Sequence, residues 1–175
     1  MRLIILSSIA VAVAAWTSAA QAQTTPPAAA AASGDPALYV AKAGASDLYE
    51  IQSSQLALQK AAANEVRQFG QMMIQHHQMT TKQVIEAAHT AGMTPQPPTL
   101  EPPQQAMIQE LQGLSGQAFD TAYLRQQRVA HDQALALHSD YATNGDNAAL
   151  RRVAGQAVPI VQRHIDALRA LPGGG

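Results

Sequence analysis

At 100° per residue, Val66, Phe69, Gly70, Met73, Ile74, Val84, Ile85 and Ala88 all fall within about 80° of His77. That is the apolar stripe of an amphipathic helix, and His77 stands at its middle. His76 sits about 100° away, at the border of the stripe. The same period recurs in three other segments. Leu150, Val153, Ala157, Ile160, Val161 and Leu168 surround His164. Leu124, Gln127, Ala134, Leu135 and His138 share a face with His131. Ala43, Ser54, Ala57, Leu58 and Ala61 share one with Glu50. The pattern predicts four long helices, each aiming one polar, ligand-type side chain at a common core.

Caps and breakers divide them. Asp35-Pro36 reads as an N-cap followed by a first-turn proline, opening a helix near 36–62. Asn64 reads as the cap of a second helix near 65–91, which stops at Gly92. Residues 93–103, "MTPQPPTLEPP", hold five prolines and cannot stay helical for long. A short helix near 104–113 follows, and Ser115-Gly116 restarts the chain as a third long helix near 117–143. "TNGDN" is a turn, with Asp146 as cap for the fourth long helix near 147–170. No strand candidate and no internal repeat occur. Tight joins make two antiparallel hairpins, and the 93–116 segment between them has the length to cross the molecule. The fold class expected is all-α: a ferritin-like up-down four-helix bundle over residues 35–171, with a long crossover between its second and third helices.

The start of the chain changes the picture of where it works. "MRLIILSSIAVAVAAWTSAAQA" has a positive charge at Arg2, an apolar run from Leu3 to Ala15, and Ala20-Gln21-Ala22. It reads as a signal peptide over residues 1–22, cut after Ala22, giving a periplasmic or secreted product with no membrane span. Residues 23–34, "QTTPPAAAAASG", read as a low-complexity linker. Removing 22 of 175 residues leaves 153, enough for one domain with a real core. Losing Arg2 from the 11 basic residues leaves 10 against 12 acidic ones, a formal net charge of −2. That charge gives no footprint for nucleic acid. The cysteine count is zero, which excludes a disulfide framework, thiolate metal sites and cysteine nucleophiles.

The chemistry lies in the four stripes. One buried histidine alone is usually a core residue satisfied by hydrogen bonds. Glu50, His77, His131 and His164 together are different, because an unpartnered carboxylate in an apolar core is very costly. A shared cation or a connected hydrogen-bond network relieves that cost. Glutamate with three histidines suits a divalent transition metal: zinc, iron, manganese or copper. Secondary candidates are His76, His138 and Asp132. Glu50 and His77 lie equally far from the first turn, so they should be level. Around Gly145, His131 is 14 residues away and His164 is 19. Five helical residues span about 7 Å, so His164 is expected to stand off by a turn unless Pro159 bends its helix. His89 points away from the stripe, to the surface, and the methionines read mainly as core filler.

The stretches "YEIQSSQLALQKAAANEVRQFGQMMIQHH", "GQAFDTAYLRQQRVAHDQA" and "VPIVQRHIDAL" resemble the bacterial "domain of unknown function 4142" family, of the ferritin-like group. The resemblance implies an exported helical bundle and supplies no activity. It picks the same positions, Glu50, His77, His131 and His164. His76 stands where such proteins usually carry aspartate, so the partner of His77 is expected to differ here. "MMIQHHQ" also resembles the His-His motif of domain of unknown function 305, over a short stretch. True di-iron ferritins use Glu-x-x-His on two helices. Here Ile74 and Val161 occupy the glutamate positions, so one ion is expected rather than two.

Three functional classes follow. The first is an exported metal-binding bundle serving storage, sensing or envelope protection. The second is a metal-free interaction or stress protein with a buried His/Glu hydrogen-bond network. The third is a mononuclear metalloenzyme, which needs a cleft that no motif indicates. Binding is favoured over catalysis. The partner expected is a metal ion, and nothing identifies a protein partner.

Overall fold

The structure, a computed structural model, describes residues 34–173. The signal-peptide reading and the linker through residue 33 lie outside the described residues. Five helices follow: α1 (Pro36–Lys60), α2 (Asn64–Thr90), α3 (Pro102–Gln112), α4 (Gly116–Asn144) and α5 (Ala148–Arg169). Among the described residues there is no strand, only an isolated parallel bridge between Ala61 and Gly116.

The helix ends carry local reasons. The Asp35 carboxylate accepts from the N–H groups of Ala37, at 2.8 Å, and Leu38, and Pro36 occupies the first turn. At the end of α2, Gly92 adopts φ +75°. Its N–H donates to the His89 carbonyl and that of Met93 to the Ala88 carbonyl, both at 2.9 Å. This paired closure needs a left-handed residue, which glycine supplies without strain. Two expected caps are corrected. Asn64 is the first residue of α2 rather than its cap, and its Oδ1 accepts from Arg67 at 2.7 Å. The carboxylate of Asp120 on α4 instead takes the N–H groups of Ala62 and Ala63, at 3.1 and 2.9 Å. Asn147, not Asp146, caps α5, accepting from Ala149 and Leu150 at 3.0 and 3.1 Å.

The helices pair as two hairpins, α1 with α2 and α4 with α5, and α1 also packs on α4 and α2 on α5. The Ala61–Gly116 bridge sets the start of α4 beside the α1–α2 turn. Segment 91–115 therefore returns along the molecule, carrying α3 against α1 and α4. At one end, Phe69, Met73, Phe119, Tyr123 and Leu168 form an apolar cluster. At the other, Tyr39, Val84, Tyr141 and Leu150 form a second. Between these two groups each long helix buries one or two ligand-type residues: Asp47 and Glu50, His77, His131, His164. The chain thus builds a polar layer between two dry ones.

Candidate metal centre

One ligand nitrogen from each of His77, His131 and His164 lies within 4.8 Å of the others. The three residues are 5%, 1% and 2% exposed. The expected one-turn offset of His164 does not hold, since its Nδ1 lies 3.3 Å from Nε2 of His131. The turn between Asn144 and Ala148 centres on Asp146, with His131 15 residues before it and His164 18 after. Side chains also lean toward the N-terminus of their own helix. For His131 that lean runs away from the turn, and for His164 toward it, so it narrows the remaining gap.

The outer nitrogens are held. His77 Nδ1–H donates to Asp47 Oδ1 at 2.7 Å. Asp47, itself 5% exposed, also accepts from the hydroxyls of Thr80 at 3.0 Å and Thr81 at 2.9 Å. His131 Nδ1–H donates to the Gln127 carbonyl at 2.8 Å. Both partners are pure acceptors, so each neutral ring keeps its lone pair on Nε2. Nε2 of His77 is buried with no hydrogen-bond partner among the described residues. A carboxylate or carbonyl behind the ring is the usual support of a metal-binding imidazole. Burial would lower the His77 pKa, but the hydrogen bond and charge of Asp47, with the charge of Glu50, outweigh it and raise it. His164 is pushed down to about 2 by burial first, then by His77, His131, His76 and Arg163. It stays neutral, the form that coordinates.

Glu50, 2% exposed, flanks the nitrogen triangle without belonging to it. Its Oε1 lies 3.7 Å from His131 Nδ1, and its Oε2 is buried with no hydrogen-bond partner among the described residues. His76 is half-buried behind His164. Its Nδ1 lies 2.7 Å from His164 Nε2, with the rings stacked 4.9 Å apart. His138 is buried but turned to the hydroxyl of Tyr39, 3.1 Å from its Nδ1. Asp132 is exposed, as is His89. Met73 is wholly buried in the core and Met79 is exposed. Asp47 is the residue that periodicity alone missed. Its signal is its place three residues before Glu50, on the same helical face, as a second carboxylate in a small-residue stripe.

Two surface grooves, of about 510 and 410 Å³, lie elsewhere. The larger runs between α1, α3 and α4 past Lys42, Tyr49, Met107 and Leu137, and none of the three histidines lines either groove.

The chain matches a known family model over residues 21–171. No curated protein matches it. Among solved structures it is similar to a DUF305 protein from Streptomyces coelicolor, with a TM-score of 0.57 and 14% identity. That match covers 78% of this chain and 94% of the other, and at such identity it speaks for the fold alone. Among the described residues no helix is long and apolar enough to cross a membrane. With its match running through α5 and including all three histidines, the chain belongs to the family described as "Domain of unknown function (DUF4142)".

Proposed function

We propose that this protein binds one divalent transition-metal ion inside an exported, ferritin-like four-helix bundle, serving storage, sensing or envelope protection. The observation that carries the reading is the convergence of three buried imidazole nitrogens within 4.8 Å. Around a tetrahedral ion with bonds near 2.0 Å, ligand nitrogens sit roughly 3.3 Å apart, so the rings need close only modestly. His77, His131 and His164 are the nitrogen ligands. Glu50 is assigned the fourth place because its buried Oε2 lacks a hydrogen-bond partner among the described residues and its charge offsets the cation's. Imidazole with carboxylate accommodates zinc, iron, manganese or copper. The parallel run of α2 and α4, bridged by the long 91–115 return, supports the ferritin-like connection. Export rests on the apolar run from Leu3 to Ala15 and on Ala20-Gln21-Ala22. Mass spectrometry of the mature N-terminus should find Gln23 first; a retained Met1 or Arg2 counts against it.

Elemental analysis of protein purified without a histidine tag tests the site. A single equivalent of metal in the wild type, lost in His77→Ala, is expected. A second reading is a metal-free hydrogen-bond network. It is favoured by the contacts of His164 with both His76, at 2.7 Å, and His131, at 3.3 Å. That reading requires the wild type to retain no more metal than His77→Ala, even after incubation with zinc.

A further inference from the structure

We infer that His76 is a positioning residue for this site, accepting the outer N–H of His164 when the inner nitrogen of that ring holds an ion; the inference rests on the metal reading above. An imidazole offers a lone pair at one nitrogen only when its proton sits on the other. Each of the three inner rings has something facing its outer nitrogen. For His77 it is the Asp47 carboxylate, and for His131 the Gln127 carbonyl. For His164 it is Nδ1 of His76, 2.7 Å from Nε2. Unlike the first two, this partner is a ring that can either donate or accept.

That difference has a direction. The Nδ1–H of His131 is committed to Gln127, so its Nε2 can only accept. Without an ion, His164 therefore carries its proton on Nδ1 and donates across 3.3 Å to His131. His76 then donates from Nδ1 into Nε2 of His164. An ion at the three inner nitrogens would take the lone pair of His164 Nδ1, so the one proton of that ring must then sit on Nε2. It is then donated to Nδ1 of His76, which carries its own proton on Nε2. Each ring keeps one proton throughout, and the charge of the pair is unchanged. One proton leaves the interior as the ion enters, the shared proton passes from Nδ1 of His76 to Nε2 of His164, and solvent returns one to Nε2 of the half-exposed His76. Binding of the ion thus rewrites the tautomer of a residue that never touches it.

Zinc competition against a chromophoric chelator should compare wild type, His76→Ala, His76→Gln and His77→Ala. Loss of an outer-nitrogen partner typically weakens metal binding roughly 10–100-fold, and His76→Ala is expected to fall in that range. His76→Gln should recover most of the loss, because an amide oxygen accepts the same N–H. In protein carrying ¹⁵N-histidine, zinc should move the His76 proton from Nδ1 to Nε2 in long-range ¹H–¹⁵N spectra. Wild-type affinity in His76→Ala, a loss in His76→Gln equal to that in His76→Ala, or a proton fixed on Nδ1 overturns the inference alone. A wild type binding zinc no better than His77→Ala overturns this inference and the metal reading together.

Discussion

Asp47 converts His77 from a buried ring into an oriented one, and the effect is separable from the ring itself. Asp47→Asn keeps an oxygen near Nδ1 and removes the charge. Zinc affinity should fall roughly 10–100-fold with the helical circular dichroism unchanged; unaltered affinity would strip Asp47 of that role. His164 makes a second claim, on acid stability. An unfolded histidine titrates near 6.5, whereas burial holds folded His164 down to about 2. Between those values the unfolded chain binds more protons, so stability rises with pH. Its contribution is complete above about pH 6.5 and is lost below it, by up to about 1.4 kcal/mol per pH unit. The raised pKa of His77 works oppositely, lending stability at low pH that disappears as pH rises through its folded value. In chelator-treated protein, urea unfolding between pH 7 and 5 should show a declining midpoint, and His164→Gln should flatten the decline. An equal slope in both proteins would contradict this. The inward-facing histidines and Glu50 were legible because helical period reports faces. The Asp47–His77 pair was not, because period says nothing of which residues on two facing stripes meet.

Among the elements, the α1–α2 turn depends on a side chain far away in sequence. Asp120 satisfies two backbone N–H groups that no local cap reaches. Asp120→Ala should therefore cost about 1–3 kcal/mol in urea unfolding. Asn64→Ala should cost much less, since the Asn64 side chain caps nothing. Equal losses would return Asn64 to its expected role. Helix limits were readable to within about two residues because Pro36, Gly92 and the proline run act locally. The cap at Asn64 was misread because its replacement comes from α4. At the second turn, Asp146 and Asn147 are adjacent cap-type residues, and nothing in "TNGDN" ranks one above the other.

At the scale of the molecule, the polar layer joins both hairpins, so an ion there should stabilise the fold as a whole. At 100-fold excess over its dissociation constant, a ligand adds about 2.7 kcal/mol. For a chain of this size that corresponds to a Tm rise of roughly 5–10 °C, readable by calorimetry and reversed by chelator. A Tm indifferent to zinc, iron, manganese and copper alike would speak against the site. The all-α character and the return crossover could be read from spacing. The meeting of His164 with His131 could not, because counting residues ignores the lean of side chains along their helices. The crossover also has a consequence for how the molecule could come apart. Asp47, Glu50, His76 and His77 precede it, and His131 and His164 follow it. A cut within residues 93–101 would leave two fragments, each holding an incomplete ligand set. Their reassembly would become a second-order process, dependent on protein concentration. Zinc would then serve as the joint between the fragments, making the cleaved protein a metal-dependent complementation pair.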